Sequence, residues 1–302
     1  MSLRVESPGL HTLLVDRGRP GWGALGVPAG GAADRAAHVL ANALLGNPPG
    51  AVTLEVTLAG PTLTADAPTA CVIFGAPFEL AIPGRAPPAA GTTFTLHAGE
   101  TLRVLGTPAG VRGYLAVRGG FRVPEVMGSR SALEPLRAGD LLTCDASTTA
   151  GRALPFVALH ARGDVTLRVL AGAQADWFEP GALEARRFTV AAASNRMGVR
   201  LLGEPLPRVA GWRLAELASE PVAAGAVQVA NDGLPIVLGV DGQTIGGYPR
   251  PAHAVRADLD RLAQLRPGDA VRFRAVTVPE AECAARDAAA ALADWCRRLA
   301  WA

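Results

Sequence analysis

Three segments of the chain share one local design: an apolar residue, two spacers, Gly, an acid, then alternating apolar residues. They are Leu96-His97-Ala98-Gly99-Glu100-Thr101-Leu102-Arg103-Val104, Leu136-Arg137-Ala138-Gly139-Asp140-Leu141-Leu142 and Leu265-Arg266-Pro267-Gly268-Asp269-Ala270-Val271-Arg272-Phe273. Pro or Ala before Gly-Asp/Glu, followed by period-two alternation, specifies a tight turn feeding a strand. Because the unit recurs in both halves, the chain reads as two similar β-rich modules rather than one long sheet. The 35 Gly and 24 Pro among 302 residues agree, since turns that frequent favour many short strands. With 49% hydrophobic and only 19% charged residues, the chain is globular and well buried rather than disordered.

Further strands are predicted at Val52–Leu58, Thr69–Phe74, Val111–Val117, Val165–Leu170, Phe188–Ala192, Val199–Leu202, Ala226–Val229, Ile236–Val240 and Ala270–Val276. Helices are few. One spans Arg35–Leu45, with Asp34 as N-cap and Gly46-Asn47 as its stop. A second runs from about Val255 to Leu265, ended by Arg266-Pro267-Gly268, and an Ala-rich third runs from Pro279 to about Leu299. The low-complexity Ser147-Thr148-Thr149-Ala150-Gly151 is the natural linker. It divides an N-terminal β-rich subdomain, residues 1–150, from a C-terminal one with a closing helix, residues 151–302.

One absence excludes several chemistries. All 29 basic residues are Arg, and the chain has no Lys. A Walker A loop needs Lys on its phosphates, a Schiff base needs an amine, and a biotin carrier needs a lysine to carry biotin. The net charge of +2 is spread along the chain, without the basic stripe that nucleic acids require. Cys71, Cys144, Cys283 and Cys296 form no CxxC pair, and the five His show no ligand spacing, so no protein-ligated metal is expected. No apolar run reaches the roughly 18 residues that cross a bilayer, and no signal pattern opens the chain. A cytoplasmic protein is expected.

Four constellations could carry chemistry. The first runs from Asp16-Arg17-Gly18-Arg19-Pro20-Gly21 through Gly26-Val27-Pro28-Ala29-Gly30-Gly31 into a helix start, where backbone N–H groups favour an anion and Arg17 and Arg19 could add two-pronged recognition of a carboxylate or phosphate. Asp34 is either the structural cap of that helix, where it repels an anion, or a functional carboxylate. Asn42 and Asn47 flank Ala43-Leu44-Leu45-Gly46. Asn47 suits a helix stop, whereas Asn42 either ties down a loop or meets a substrate. Glu55 shares a strand face with Thr53 and Thr57, as a site carboxylate or a solvent-facing residue. Arg196, in Ser194-Asn195-Arg196-Met197-Gly198-Val199-Arg200, falls on the same side as Arg200 if that stretch is extended. Finally Gln228 lies on a strand ahead of Asp241-Gly242-Gln243-Thr244-Ile245-Gly246-Gly247-Tyr248-Pro249-Arg250. That loop holds more polar functionality than a bend requires.

Taken in order, the motifs G-x-P-A-G-G-A-x-D, A-N-x-L-L-G-N, L-E-V-T-L-x-G-P, Y-L-A-V-x-G-G, G-S-R-S, S-N-R-M-G-V-R-L, S-E-x-V-x-x-G-A-V-Q-V, G-x-P-I-V-L, D-x-Q-T-x-G-G-Y-P and A-Q-L-R-P-G-D-x-V-R-F resemble the KipA family. That family is also described as allophanate hydrolase subunit 2-like or biotin-dependent carboxyltransferase-like, and its bacterial members include the C subunit of 5-oxoprolinase. The resemblance runs from about Asp16 to Phe273. It departs where Gly139-Asp140 follows Gly128-Ser129-Arg130-Ser131 closely, and at Ala230 and Ile245. It implies a mainly β chain of two β-rich subdomains, at least one a cyclophilin-like β-barrel, expected at the C-terminal side. It also implies a KipI-like subunit and a LamB/YcsF-like subunit as partners. The assembly would use ATP to open 5-oxoproline to glutamate, and this chain would be inactive alone. Two alternatives go with it: carboxyl transfer to urea or a similar amide with a separate biotinylated carrier, or a regulatory protein that binds a KipI-like inhibitor. Either reaction needs a site that holds an amide and stabilises charge on its oxygen. The residues expected there are the carboxylates Asp34, Glu55 and Asp241, with Asn42, Asn47, Arg196, Gln228, Gln243, Thr244, Gly246, Gly247 and Tyr248 as substrate contacts.

Overall fold

A computed structural model describes residues 1–154, 164–212 and 216–301. The chain forms two compact units, and neither is continuous in sequence. Unit 1 takes Met1–Gly18, Asp34–His160 and Ala291–Ala302; unit 2 takes Arg19–Ala33 and Ala161–Ala290.

In unit 1, strands β1 (Ser2–Ser7), β2 (Thr12–Val15), β3 (Thr53–Thr57), β4 (Thr62–Ala65), β5 (Thr69–Gly75), β6 (Leu80–Ala81), β7 (Phe94–Leu96), β8 (Thr101–Val104), β9 (Arg112–Val117) and β10 (Leu141–Thr143) form two five-stranded antiparallel sheets. Their orders are β10-β1-β4-β8-β6 and β2-β3-β9-β5-β7. Period-two alternation explains what lies on each face. Leu54 and Val56 of β3, with Leu115 and Val117 of β9, join Leu3, Val5, Leu63 and Leu102 of the other sheet in one core. The alternate residues Thr53, Glu55, Arg112 and Tyr114 therefore point to the opposite face, where helix α1 (Arg35–Leu44) packs against β5 and β9. The α1 boundaries follow the predicted chemistry: Asp34 is extended and accepts Ala37 N–H at 2.9 Å, and Gly46 ends the helix at φ +72°.

Unit 2 is a closed seven-stranded barrel. Its strands are β11 (Val165–Ala171), β12 (Phe188–Val190), β13 (Gly198–Leu202), β15 (Ala226–Val229), β16 (Pro235–Leu238), β18 (Ala252–Ala254) and β19 (Ala270–Ala275), in the order β11-β18-β15-β16-β13-β12-β19. The parallel pairing of β19 with β11 completes it. Between these, β14 (Glu220–Pro221) and β17 (Ile245–Gly246) form a two-residue ladder. Helix α2 (Ala182–Ala185) packs against β19. The last helices are α3 (Leu259–Leu262) and α4 (Val278–Trp301).

The three repeated turns are built as their sequence specifies. Glu100, Asp140 and Asp269 each donate a backbone N–H to the carbonyl three residues back, while their carboxylates accept that residue's N–H at 2.7–2.8 Å. The Gly of each turn has φ between +81° and +92°, which a side chain would strain. Two expectations change. The helix over 255–265 shortens to a 3-10 turn at Arg256–Asp258 followed by α3, because Asp258 is buried against Arg168 rather than capping a longer helix. The Ser147–Gly151 stretch is not a free linker. Its Ser147 Oγ accepts Ala70 N–H, and Ala150 O accepts Thr93 Oγ1–H, so it runs along unit 1.

Candidate functional site

Between α1 and the sheet of unit 1 lies a buried polar cluster. Glu55, 1% exposed, accepts Tyr114 Oη–H at 2.8 Å on Oε2 and has Arg112 Nε 3.3 Å from Oε1. Tyr114 Oη in turn accepts Asp34 N–H at 2.7 Å. Cross-strand register makes this possible, since Glu55 of β3 lies directly opposite Tyr114 of β9. Burial, then the Glu55 and Asp34 carboxylates, push the Tyr114 hydroxyl well above its ordinary pKa, so it stays a donor. His38 of α1 meets Thr53 Oγ1 through Nδ1 at 2.9 Å, while its Nε2 is buried without a hydrogen-bond partner among the described residues. Burial lowers its pKa to about 4, against the opposing pull of Asp16 and Glu55, so the ring is neutral.

At the end of β2, Asp16 gathers the Gly128-Ser129-Arg130-Ser131 segment. Its carboxylate accepts Ser129 and Ser131 hydroxyls at 2.6 Å, Arg130 N–H at 2.7 Å and Gly18 N–H at 2.8 Å. Burial alone would raise its pKa, but these four bonds together hold it below the usual carboxylate range. Asp16 thus clamps a loop more than 110 residues away in sequence.

In unit 2 the Gly-rich loop and the polar loop after β16 meet. Arg196 donates to Asp241 through Nε at 2.6 Å and Nη2 at 3.0 Å, a two-pronged pair. Arg196 Nη2 also reaches Gly31 O at 2.8 Å, and Gly30 N–H donates to Val240 O at 3.0 Å. Asp241 N–H closes the arrangement on Arg196 O at 3.2 Å. The Asp241 side chain remains 35% exposed, so this pair stands at a surface. Beside it, exposed Gln243 donates to Oε1 of buried Gln228 at 3.1 Å. Gly246, Gly247, half-buried Thr244 and exposed Tyr248 continue the loop, and Thr244 O accepts Val222 N–H at 2.8 Å. Beyond it, Arg250 holds Pro221 O, Gln174 and Glu220. Two cavities of about 570 and 460 Å³ open elsewhere on unit 2, and neither is lined by Arg196, Gln228 or Asp241.

The structure therefore brings Asp34 with Glu55, and Arg196 with Asp241, and Gln228 with Gln243. It also decides between several of the alternatives that the sequence left open, and alters one. Glu55 does not face solvent: the sheet face that carries it is covered by α1. Asn42 and Asn47 are committed to the chain itself. Asn42 Nδ2 donates to Ala51 O, both amide hydrogens of Asn47 go to Asn42 Oδ1 and Val117 O, and Asn47 Oδ1 accepts Gly119 N–H. Arg196 and Arg200 do not share a strand side, because Arg196 sits in the turn closed by the Asn195–Gly198 bridge before β13 begins, and Arg200 is exposed. Gln228 pairs in register with Ile236, and its side chain meets Gln243. Sequence reasoning missed Tyr114, Arg112 and His38, and gave Asp16 no role. The Y-L-A-V-x-G-G and G-S-R-S motifs were the signals available for Tyr114 and for the Asp16 clamp. Among the described residues no cluster of three His, Cys, Asp or Glu could hold a metal, and no helix is long and apolar enough to cross a membrane.

The chain matches the carboxyltransferase domain, subdomain A and B, over residues 25–275. It is 34% identical over 298 residues to the C subunit of 5-oxoprolinase from Escherichia coli (strain K12), with 94% of each chain covered. The crystal structure of TTHA0988 aligns with a TM-score of 0.81 at 39% identity, covering 90% of this chain and 55% of that one. The K. lactis urea amidolyase structure aligns with a TM-score of 0.88 at 26% identity, over 97% of this chain. The chain thus spans about half of TTHA0988 and 20% of the urea amidolyase. Matched over most of its length by that domain and over 94% of it by the Escherichia coli protein, the chain belongs to the carboxyltransferase-domain family with subdomains A and B.

Proposed function

We propose that the chain is the C subunit of an ATP-dependent 5-oxoprolinase, working with a KipI-like subunit and a LamB/YcsF-like subunit to open 5-oxoproline to glutamate. The observation that carries this reading is the likeness to the Escherichia coli 5-oxoprolinase C subunit, 34% identical with 94% of each chain covered. The chemistry of the loops supports it. A lactam is unreactive because nitrogen delocalises onto the carbonyl oxygen, so opening it requires donors that hold charge developing there. Arg196, Gln228, Gln243 and the backbone N–H groups near Gly246 and Gly247 are donors of that kind, with Thr244 and Tyr248 at the rim. Asp241 is the carboxylate assigned to direct contact. Asp34 and Glu55, each 1% exposed, are assigned to holding α1 and β3 in place, as Asn42 and Asn47 hold the loops around them.

ATP is assigned to the assembly rather than to this chain alone. No Lys is present, Asp34 already caps α1, and Gly30 N–H is committed to Val240 O, which disfavours the Gly-rich loop ahead of α1 as a phosphate site. The chain is proposed to be cytoplasmic and inactive without its partners. The test combines the purified chain with its cognate KipI-like and LamB/YcsF-like partners, ATP and 5-oxoproline, and measures glutamate. Release that needs all three proteins supports the reading, and its absence from the complete set refutes it.

The second reading, carboxyl transfer from a separate biotinylated carrier to urea or a similar amide, is favoured by the fold match to urea amidolyase across 97% of the chain. It predicts carboxylation of urea when a carboxybiotin carrier is supplied. A regulatory KipI-binding role predicts partner binding that survives substitution of both Asp241 and Gln243.

A further inference from the structure

The loop after β16 holds a feature that neither fold nor packing requires. Gln228 lies on the face of β15 opposite Val227 and Val229, which fill the barrel core. Its Oε1 accepts Gln243 Nε2–H, but its own Nε2 is buried without a hydrogen-bond partner among the described residues. An unmade bond at a buried amide donor destabilises the fold, and a Leu of similar size would remove that penalty. Gly246 passes directly over this amide. A Cβ there would collide with Gln228 Nε2 and come within 3.3 Å of Gln243 Nε2, so the two amides can lie against this loop only because residue 246 is Gly. The cover itself is lightly held. Gln243 is exposed, and the β14–β17 ladder has two residues on each side. The firm anchors lie at its ends, Asp241 on Arg196 and Arg250 on Pro221 O and Gln174.

We propose that Gln228 is the recognition group for an amide presenting C=O and N–H on one edge, as a lactam, a urea or a primary amide does, and that Gln243 is its internal stand-in. A carboxamide carries an acceptor and a donor side by side. A cis amide offers the reciprocal pair, and two hydrogen bonds close a ring. A trans secondary amide puts the two groups on opposite edges and makes one bond only. Gln243 likewise makes one of the two. When the ligand arrives, Gln243 swings toward solvent and the idle donor of Gln228 is used. The amide class rests on the proposed function; the stored, unused donor does not.

The test uses full-length Gln228→Leu, Gln243→Ala and Gly246→Ala chains, each with its melting temperature, titrated calorimetrically with 5-oxoproline, urea and the trans amide N-methylacetamide. Wild type is expected to bind 5-oxoproline at least about tenfold more tightly than N-methylacetamide, the scale of one lost hydrogen bond. Gln228→Leu should bind 5-oxoproline at least about tenfold more weakly while melting no lower than wild type, a pairing that a purely structural role would not produce. Gly246→Ala, which crowds the two amides, should weaken binding too, and Gln243→Ala should tighten it. The inference is overturned if Gln228→Leu binds as wild type does, if Gln243→Ala weakens binding in parallel, if N-methylacetamide binds equally well, or if no cis amide binds wild type. Turnover by the complete complex separates the two ideas. Glutamate made by the Gln228→Leu complex at the wild-type kcat/KM sinks this inference and leaves the function standing. No glutamate from the wild-type complex, with Gln228-dependent binding of urea, does the reverse.

Discussion

The polar clusters described for the two units place their carboxylate–arginine pairs at different depths. In unit 1, Glu55 and Arg112 lie under α1, with exposures of 1% and 8%, and Tyr114 supplies a further hydrogen bond. In unit 2, Asp241 pairs with Arg196 in better geometry, two-pronged at 2.6 and 3.0 Å, yet its carboxylate is 35% exposed. The better-aligned pair is thus the wetter one. A buried charge is costly when its partner is removed, because it cannot regain water, whereas an exposed one is resolvated. The unit 1 cluster is therefore read as a rigid support and the unit 2 pair as the one able to exchange partners.

The largest expected effect tests that reading directly. Glu55→Ala removes the carboxylate beside buried Arg112 and the acceptor of Tyr114, and should lower the unfolding free energy by about 3–5 kcal/mol. Asp241→Ala leaves Arg196 its bond to Gly31 O, and should cost about 1–2 kcal/mol, between exposed and buried pairs. Urea unfolding of the two variants measures the gap. Equal losses would show that depth does not divide the units.

The next effect is a pH dependence that belongs to unit 1. Burial holds the folded-state pKa of His38 at about 4, below its ordinary 6.5. Between those values the unfolded chain binds a proton that the folded chain refuses. Stability contributed by His38 is therefore complete above about pH 6.5 and is lost as pH falls toward 4, by on the order of 3 kcal/mol. The depressed pKa of Asp16 acts in the same direction but only below the ordinary carboxylate range, at lower pH. Melting temperatures from pH 7 to 4.5 should fall less steeply in His38→Gln than in wild type. Parallel curves would remove His38 as the cause.

These residues also mark what the sequence made legible. Local signals were readable: the Asp34 cap and Gly46 stop of α1, the strands around it, and the three Gly-acid turns follow from neighbours within four residues. Pairings across long separations were not. Tyr114 and Glu55 are 59 residues apart, and Arg196 and Asp241 are 45 apart. Both members of the second pair stood out as polar loop residues, but nothing local says that they meet. Burial of Glu55 depends on α1 lying over one sheet face, and period-two alternation cannot say which face a helix will cover. The same limit hid the grouping of Arg19–Ala33 with unit 2, which rests on contacts such as Gly30 N–H to Val240 O.

The smallest predicted effect asks where the two units should be alike. Asp140 and Asp269 each close the same turn, one in each unit, by accepting the N–H of Arg137 or Arg266 at 2.8 Å. Replacing either with Ala removes one exposed or half-exposed hydrogen bond and should cost about 0.5–1 kcal/mol. Because the two turns share no partners, the double variant should lose the sum of the two. Glu100, in the third turn, also pairs with Arg85 at 3.1 Å across a partly exposed surface, so Glu100→Ala should cost only slightly more. Thermal unfolding of the three single variants and the double is sufficient. A loss at Asp269 well above that at Asp140 would assign the unit 2 turn a second task. The structure offers no such task in the backbone, since Gly268 and Asp269 tie their turn to Val190 of β12 by the same pair of bonds with which Gly139 and Asp140 tie theirs to Val5 of β1.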